Sequence, residues 1–297
     1  MYAIADLAPR QTLRPSRGLI PTPDGEQLYY EDMGNGPTLL FVHGWAMNTE
    51  FWERQTADLV RQGHRCIAYD QRGCGRSSPA AAGHDLDGLA DDLATVIERL
   101  GLDRVTLVAH SMGACQVARY LSRHGATRVA GTVLVAGTAP GLFPDPASRT
   151  EPLAAQVTMM MADRPAYVAA MAEPFFAPEQ VSPHMVAWGT GLVLRATLHA
   201  AIEHTRTNIN ADVRADMAAF TCPTLIIHGS ADQSCPLERS AELAHAMIPG
   251  SELLVYEGAS HALPLTRGDR LSADIAAFVA RRLNEAALGF PSLQGRG

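Results

Sequence analysis

Residues 105–113 read VTLVAHSMG, and this stretch decides the fold. Val105 to Ala109 form a continuous apolar run of the kind shown by a strand covered on both faces. From Met112 onward, MGACQVARYLSRHG (112–125) carries apolar residues at helical spacing and ends on glycine. Ser111 therefore falls at an abrupt strand-to-helix turn, where a strained backbone lifts a serine hydroxyl above the end of a sheet. The flanking residues must be small because strand and helix approach closely there. The usual pattern is G-x-S-x-G; Ala109 in the first position is its smallest departure. Ser111 is the candidate nucleophile.

The same grammar extends both ways. Upstream, the apolar runs TLLFVHG (38–44) and RCIAYD (65–70) flank a helical pattern at 49–63. A second helical pattern occupies 85–101, and a strand pattern follows at 128–137. Ahead of them, RGLIPTPDGEQLYYEDMG (17–34) places Asp24-Gly25 between two extended stretches, a hairpin signal. From Thr138 to about Thr221 strand patterns give way to helices rich in Met and Ala. The alternation then resumes with PTLIIHGSAD (223–232), a helix at 236–250, SELLVYEGASH (251–261) and a helix at 271–286. Alternating strands and helices predict a mostly parallel sheet joined by right-handed crossovers. The expected organisation is a flexible leader at 1–17, an α/β core at 18–138 and 222–287, a helical cap at 139–221 and a flexible tail at 288–297.

Bulk properties narrow the function. The 297 residues are 47% hydrophobic and carry a net charge of −7, which offers no basic field for nucleic acid or anionic lipid. No run of eighteen apolar residues marks a membrane span and the N-terminus lacks a secretory core, so the sequence reads as cytoplasmic. The five cysteines form no C-x-x-C pair and read as free, packing thiols. The eleven histidines form no spaced metal motif, so neither a metal nor another cofactor is expected. The glycines and arginines of Asp70 to Ser77 lack the Gly-Lys-Ser/Thr ending of a phosphate loop and read as a structural turn. The oligomeric state stays open, a homo-oligomer included.

The stretches FVHGWAMNTEFW (41–52), AYDQRGCGRSS (68–78), LADDLATVIERLG (89–101), AHSMGACQVARYLSRHG (109–125), PTLIIHGSADQSCP (223–236) and YEGASHALPLT (256–266) resemble the α/β-hydrolase superfamily. Within it the chain is similar to the cofactor-free haloperoxidase, arylesterase and perhydrolase group, over roughly residues 20 to 280. The resemblance implies an eight-stranded, mostly parallel sheet flanked by helices, with a helical cap. It implies a triad in the chain order Ser, acid, His, because serine needs a base and the base needs an orienting acid. His261, directly after the strand LLVYEGAS, is the base. Asp232, in the loop past TLIIHGS, is the acid; Asp212 and Asp216 are rivals that precede that strand. The backbone N–H groups of Trp45 and Met112 form the implied oxyanion hole, at the turn His43-Gly44-Trp45 and at a helix N-terminus. His228-Gly229 repeats that dipeptide and reads as an ordinary strand end.

In the cap, Met159, Met160, Met161, Met171, Phe175, Phe176 and Trp188 either line an apolar substrate pocket, with Trp45 as a further wall, or form the cap's own core. The expected activity is serine-dependent hydrolysis of a small to medium carboxylic ester or lactone, with peroxide able to replace water in a perhydrolase side reaction. Ser111 argues against the epoxide hydrolases and haloalkane dehalogenases, which carry aspartate at that position. Hydrolysis of a C–C bond beside a ketone by the same triad stays open, as does a non-catalytic small-ligand receptor on the same fold.

Overall fold

The computed structural model describes residues 16–287. Its centre is one eight-stranded sheet built from β1 (Ser16–Pro21), β2 (Gln27–Gly34), β3 (Thr38–Val42), β4 (Arg65–Tyr69), β5 (Val105–His110), β6 (Val129–Val135), β7 (Thr224–Gly229) and β8 (Glu252–Tyr256). The spatial order is β1-β2-β4-β3-β5-β6-β7-β8. β1 and β2 form the antiparallel hairpin expected at Asp24-Gly25, and Gly25 takes the positive φ of 94° that its turn requires. β3 to β8 run parallel. The expected leader is corrected at its inner end: Ser16 and Arg17 already pair in β1 with Asp32 and Glu31. Residues 1–15 of that leader, and the whole tail expected at 288–297, lie outside the described residues.

Strand alternation divides the core into two layers. Leu40 and Val42 of β3 face a layer completed by α2 (Leu86–Arg99), α3 (Met112–His124) and α7 (Ala241–Met247). Leu39 and Phe41 face the other, with Phe51, Trp52, α1 (Glu53–Arg61) and α9 (Gly268–Ala287). This is the period-two burial of a sheet covered on both sides. The helix expected from Thr49 opens as a 3₁₀ turn over Thr49–Trp52, held by the Asn48 side chain accepting from the Glu50 N–H. The turn from Asp70 to Ser77 is structural, as read. The Asp70 carboxylate accepts from the Thr49 and Arg76 N–H groups at 2.6 and 2.8 Å, and Arg72 forks onto Asp92 at 2.8 and 2.6 Å.

Between β6 and β7 lie α4 (Thr150–Phe176), α5 (Pro183–Leu194) and α6 (Leu198–Asn210). α4 is kinked at Asp163, whose backbone leaves helical geometry and whose carboxylate caps the second half by accepting from Ala166 N–H at 3.0 Å. Pro165 two residues on makes that restart favourable. The short α8 (Leu263–Thr266) follows β8. Among the described residues no single helix is long and apolar enough to cross a membrane.

The chain leaves β3 toward β4 on one side and reaches β5 on the other. The loops after β3 and β5 therefore diverge, opening the crevice at which parallel sheets place their ligands.

Candidate active site

Ser111 caps α3 with φ 53° and ψ −123°, a region costly for any residue with a side chain. Its environment explains how the turn holds. A Cβ at Gly113 would lie 2.9 Å from the carbonyl oxygens of both Val42 and His43, and one at Gly44 would lie 2.9 Å from the Ser111 Cβ. Only glycine permits these two approaches. Ala109, two residues before Ser111, is fully buried in β5 without breaking the pairing of that strand with β3 or β6.

Three side chains predicted from distant parts of the sequence meet at this turn. His261 Nε2 lies 3.0 Å from Ser111 Oγ, and His261 Nδ1 lies 2.7 Å from Asp232 Oδ2. The other carboxylate oxygen of Asp232 accepts from the Cys235 N–H at 2.7 Å. All three residues are buried. Burial alone pushes the Asp232 carboxyl up, but His261 and His228 outweigh it and hold the group well below the usual carboxylate range. The rivals are engaged elsewhere: Asp212 pairs with Arg214, and Asp216 lies 3.2 Å from Arg119 Nε.

The loop after β3 is fixed from behind. His43 Nε2 accepts from the Gln71 N–H at 2.9 Å, so its Nδ1–H donates to the Gly44 carbonyl at 2.8 Å. Burial keeps this imidazole neutral by pulling its pKa to about 4. The Gln71 amide also donates to the His43 carbonyl at 2.7 Å. Trp45 is anchored on the far side, its indole N–H donating to Thr205 Oγ1 at 2.8 Å and to the Ala201 carbonyl at 3.1 Å, both on α6. Met112 is the first residue of α3, where a backbone N–H has no intrahelical acceptor.

Above Ser111 is a cavity of about 220 Å³ whose lining includes Gly44, Trp45, Ser111 and His261 below and Tyr167, Phe175 and Phe176 above. The Phe175 ring stands 5.5 Å from that of His261, edge to face. Trp188 is corrected: it does not line the cavity, and α5 contributes Gly189, Thr190 and Val193 instead. Of the four cap methionines expected there, Met171 alone lines it; Met160 is buried in the core, and Met159 and Met161 are exposed. All five cysteines are free, with Cys222 half-buried and the other four buried. Among the described residues no group of three or more His, Cys, Asp and Glu is placed to hold a metal ion.

Three supporting residues escaped the sequence reading. His228 Nε2 lies 2.7 Å from the Cys235 carbonyl and 3.3 Å from Asp232 Oδ2, so the strand-end histidine braces the acid's loop. Its four-residue spacing from Asp232 was the available signal. His110 donates through Nε2 to the His261 carbonyl at 3.1 Å and packs its ring 4.8 Å from the His261 ring. Glu179, in the segment joining α4 to α5, bonds the residue before His261. Its partner is 81 residues away, and nothing local announces the pair.

The comparisons agree with the geometry. Residues 37–170 match the family described as the alpha/beta hydrolase fold. A non-heme haloperoxidase of Rhodococcus erythropolis is 36% identical over 86% of this chain and 97% of its own length. A bifunctional esterase/perhydrolase of Acinetobacter calcoaceticus is 31% identical over 88% of this chain and 99% of its own. The solved structure of an esterase from Exiguobacterium antarcticum superposes with a TM-score of 0.85 at 32% identity, covering 88% of this chain and 98% of that one. The sheet order, the strained serine turn and these relatives together make the chain a member of the α/β-hydrolase family, in the group of the non-heme haloperoxidases and perhydrolases.

Proposed function

We propose that the protein hydrolyses a small to medium carboxylic ester or lactone through an acyl-enzyme on Ser111. The observation that carries this reading is the unbroken run from Ser111 Oγ through both His261 nitrogens to Asp232. Ser111 Oγ attacks the carbonyl carbon while its proton passes to His261 Nε2. Asp232, kept ionised, holds the Nδ1–H tautomer and stabilises the imidazolium that forms. The oxyanion of the tetrahedral intermediate takes hydrogen bonds from the Trp45 and Met112 N–H groups; one such donor is typically worth about 10²–10³ in rate. The C–O bond then breaks, the leaving oxygen takes the proton from His261, and water repeats the sequence in reverse to free Ser111 and the acid. The esterase and perhydrolase names of the relatives support this chemistry, and peroxide in place of water would give a peracid.

The test is a panel of aryl esters, aliphatic esters and lactones, run with wild type and Ser111→Ala, beside labelling with a fluorophosphonate. Turnover that falls about 10⁴-fold in the variant, with label lost at the same time, is the expected result. Undiminished turnover in Ser111→Ala would overturn the assignment. Absence of both labelling and turnover in wild type would turn the reading toward a receptor, which labelling of Ser111 would exclude.

A further inference from the structure

The cavity above Ser111 has a neighbour. Beside the loop after β6 lies a second cavity, of about 320 Å³. It is lined by that loop, by the segment after α6, and by Leu243 and Met247 of α7, which are both exposed. Leu142 alone is common to the linings of the two cavities, and it is half-buried. Its chain neighbours divide between them: Phe143 lines the inner cavity, and Pro140, Gly141 and Pro144 line the outer. The end of α6 divides in the same way, with Asn208 and Ile209 on the inner lining and Ala211 and Asp212 on the outer.

The wall between the cavities is held from several directions. The Val213 N–H donates to the Pro140 carbonyl at 2.9 Å, and the Gly141 N–H to the Thr138 carbonyl at 2.8 Å. Arg239 donates to the Leu142 carbonyl at 2.7 Å, and Arg149 Nε–H to the Phe143 carbonyl at 2.8 Å. A Cβ at Gly141 would lie 2.4 Å from the Ala211 carbonyl oxygen, so the two segments of the wall meet backbone to backbone. With the main chain pinned on both sides of it, the Leu142 side chain is the part of the wall that a substitution can remove without moving the rest. None of the inner lining is Asp, Glu, Lys or Arg, so a charged group would lose its hydration there and gain no counter-ion. An uncharged chain gains with each methylene it buries, until it meets the wall.

We propose that Leu142 sets the length of substrate the protein accepts, as a partition one side chain thick between the catalytic cavity and the outer one. This inference rests on the ester-hydrolase reading above. Removing the side chain joins the two spaces, and the end of a long apolar chain then reaches Leu243 and Met247.

The experiment measures kcat/KM along two series, p-nitrophenyl esters from acetate to decanoate and alkyl acetates from ethyl to decyl. Wild type, Leu142→Ala, Leu142→Val and the double variant Leu142→Ala with Leu243→Glu are run side by side, with thermal melts to confirm folding. In wild type, at least one series is expected to rise and then fall with chain length. In Leu142→Ala that fall should disappear through the longest member, whose kcat/KM relative to the shortest rises about ten-fold or more. The added Leu243→Glu, which places a charge in the outer cavity, should remove most of that gain. Leu142→Val should move the ratio the same way by a smaller factor, and it decides the matter if the alanine variant does not fold. With wild type an active esterase, three results would each overturn the partition alone: no fall in either wild-type series, ratios unchanged in the folded variants, or a gain that survives the added glutamate. Absence of Ser111-dependent ester turnover in wild type would instead overturn the reading beneath it, and this inference with it.

Discussion

One carboxylate oxygen of Glu179 accepts from the Ser260 N–H at 3.0 Å and from the Ser260 hydroxyl at 2.7 Å, so the residue before His261 hangs from the segment that joins α4 to α5. The same oxygen accepts from Thr266 Oγ1 at 2.7 Å, and Arg267 Nε lies 2.8 Å from the other oxygen. Burial pushes the Glu179 carboxyl up, but these donors hold it below its usual range. Glu179→Ala leaves them unmatched and frees the loop that aims His261. Turnover is expected to fall about 10–100-fold, since a displacement near 1 Å can have that effect, with KM little changed. Steady-state kinetics on a simple aryl ester decide it, and an unaltered kcat would show that Glu179 does not position the histidine.

His228 braces Asp232 through the Cys235 carbonyl, while its own Nδ1 is buried without a partner among the described residues. His228→Leu removes that orphaned nitrogen and orphans the carbonyl in exchange, so the two effects on stability offset. The melting temperature should move little while kcat drops about ten-fold or more. His228→Gln, whose Nε2–H can replace the ring donor, should recover most of the loss. Equal kcat in the leucine variant and wild type would remove His228 from the positioning set.

Much of this architecture is legible in the sequence. The eight strands follow from apolar runs and one hairpin signal, because strands buried on both faces leave a continuous mark. Ser111 follows from the strand-to-helix turn, and Asp232 and His261 from the chain order that the family resemblance implies. The walls of the cavity are different. α5 (PHMVAWGTGLVL) is apolar nearly all round, so no stripe says whether Trp188 or its neighbours Gly189 and Thr190 face the ligand. Glu179, Gln71 and Thr205 act through partners 28 to 160 residues away, and no local pattern encodes such pairs.

Peroxide offers a test of the acceptor step. Acetic acid from the buffer acylates Ser111 with loss of water, hydrogen peroxide takes the acyl group to give peracetic acid, and the peracid oxidises bromide in free solution while returning to acetate. Bromination of a dye should therefore be rapid in acetate, slow in phosphate at the same pH and peroxide, and absent in Ser111→Ala. Equal rates in the two buffers would rule out the peracid route.

Acid should weaken the fold. Burial pulls the pKa values of His43, His64, His84, His110 and His204 below the ordinary imidazole value, to about 4 for His43 and well below it for His110 and His204. Each is neutral in the folded chain and titrates near 6.5 in the unfolded one. The unfolded state thus binds more protons as pH falls below about 6.5, and stability present above that value is lost toward pH 4, by up to roughly 1.4 kcal/mol per pH unit for each such histidine. Asp70 and Asp92, both pushed up to about 6 by burial, take up protons in the folded state and oppose two of the five. Thermal melts from pH 7.5 to 5 should show a falling midpoint, and a flat or rising one would contradict the neutral assignments.

The anchoring of Trp45 ties affinity and speed together. Its side chain is bolted to α6, a helix that also lines the cavity, while its main chain belongs to the loop after β3 where charge would gather during acyl transfer. A ligand that presses α6 out of place must drag the indole, and with it the peptide group beside Ser111. Mismatched substrates should therefore be recognised chiefly by reacting slowly once bound, rather than by binding poorly. Selectivity in such a site is exercised at the barrier, and a survey by binding alone would undercount what the protein can tell apart.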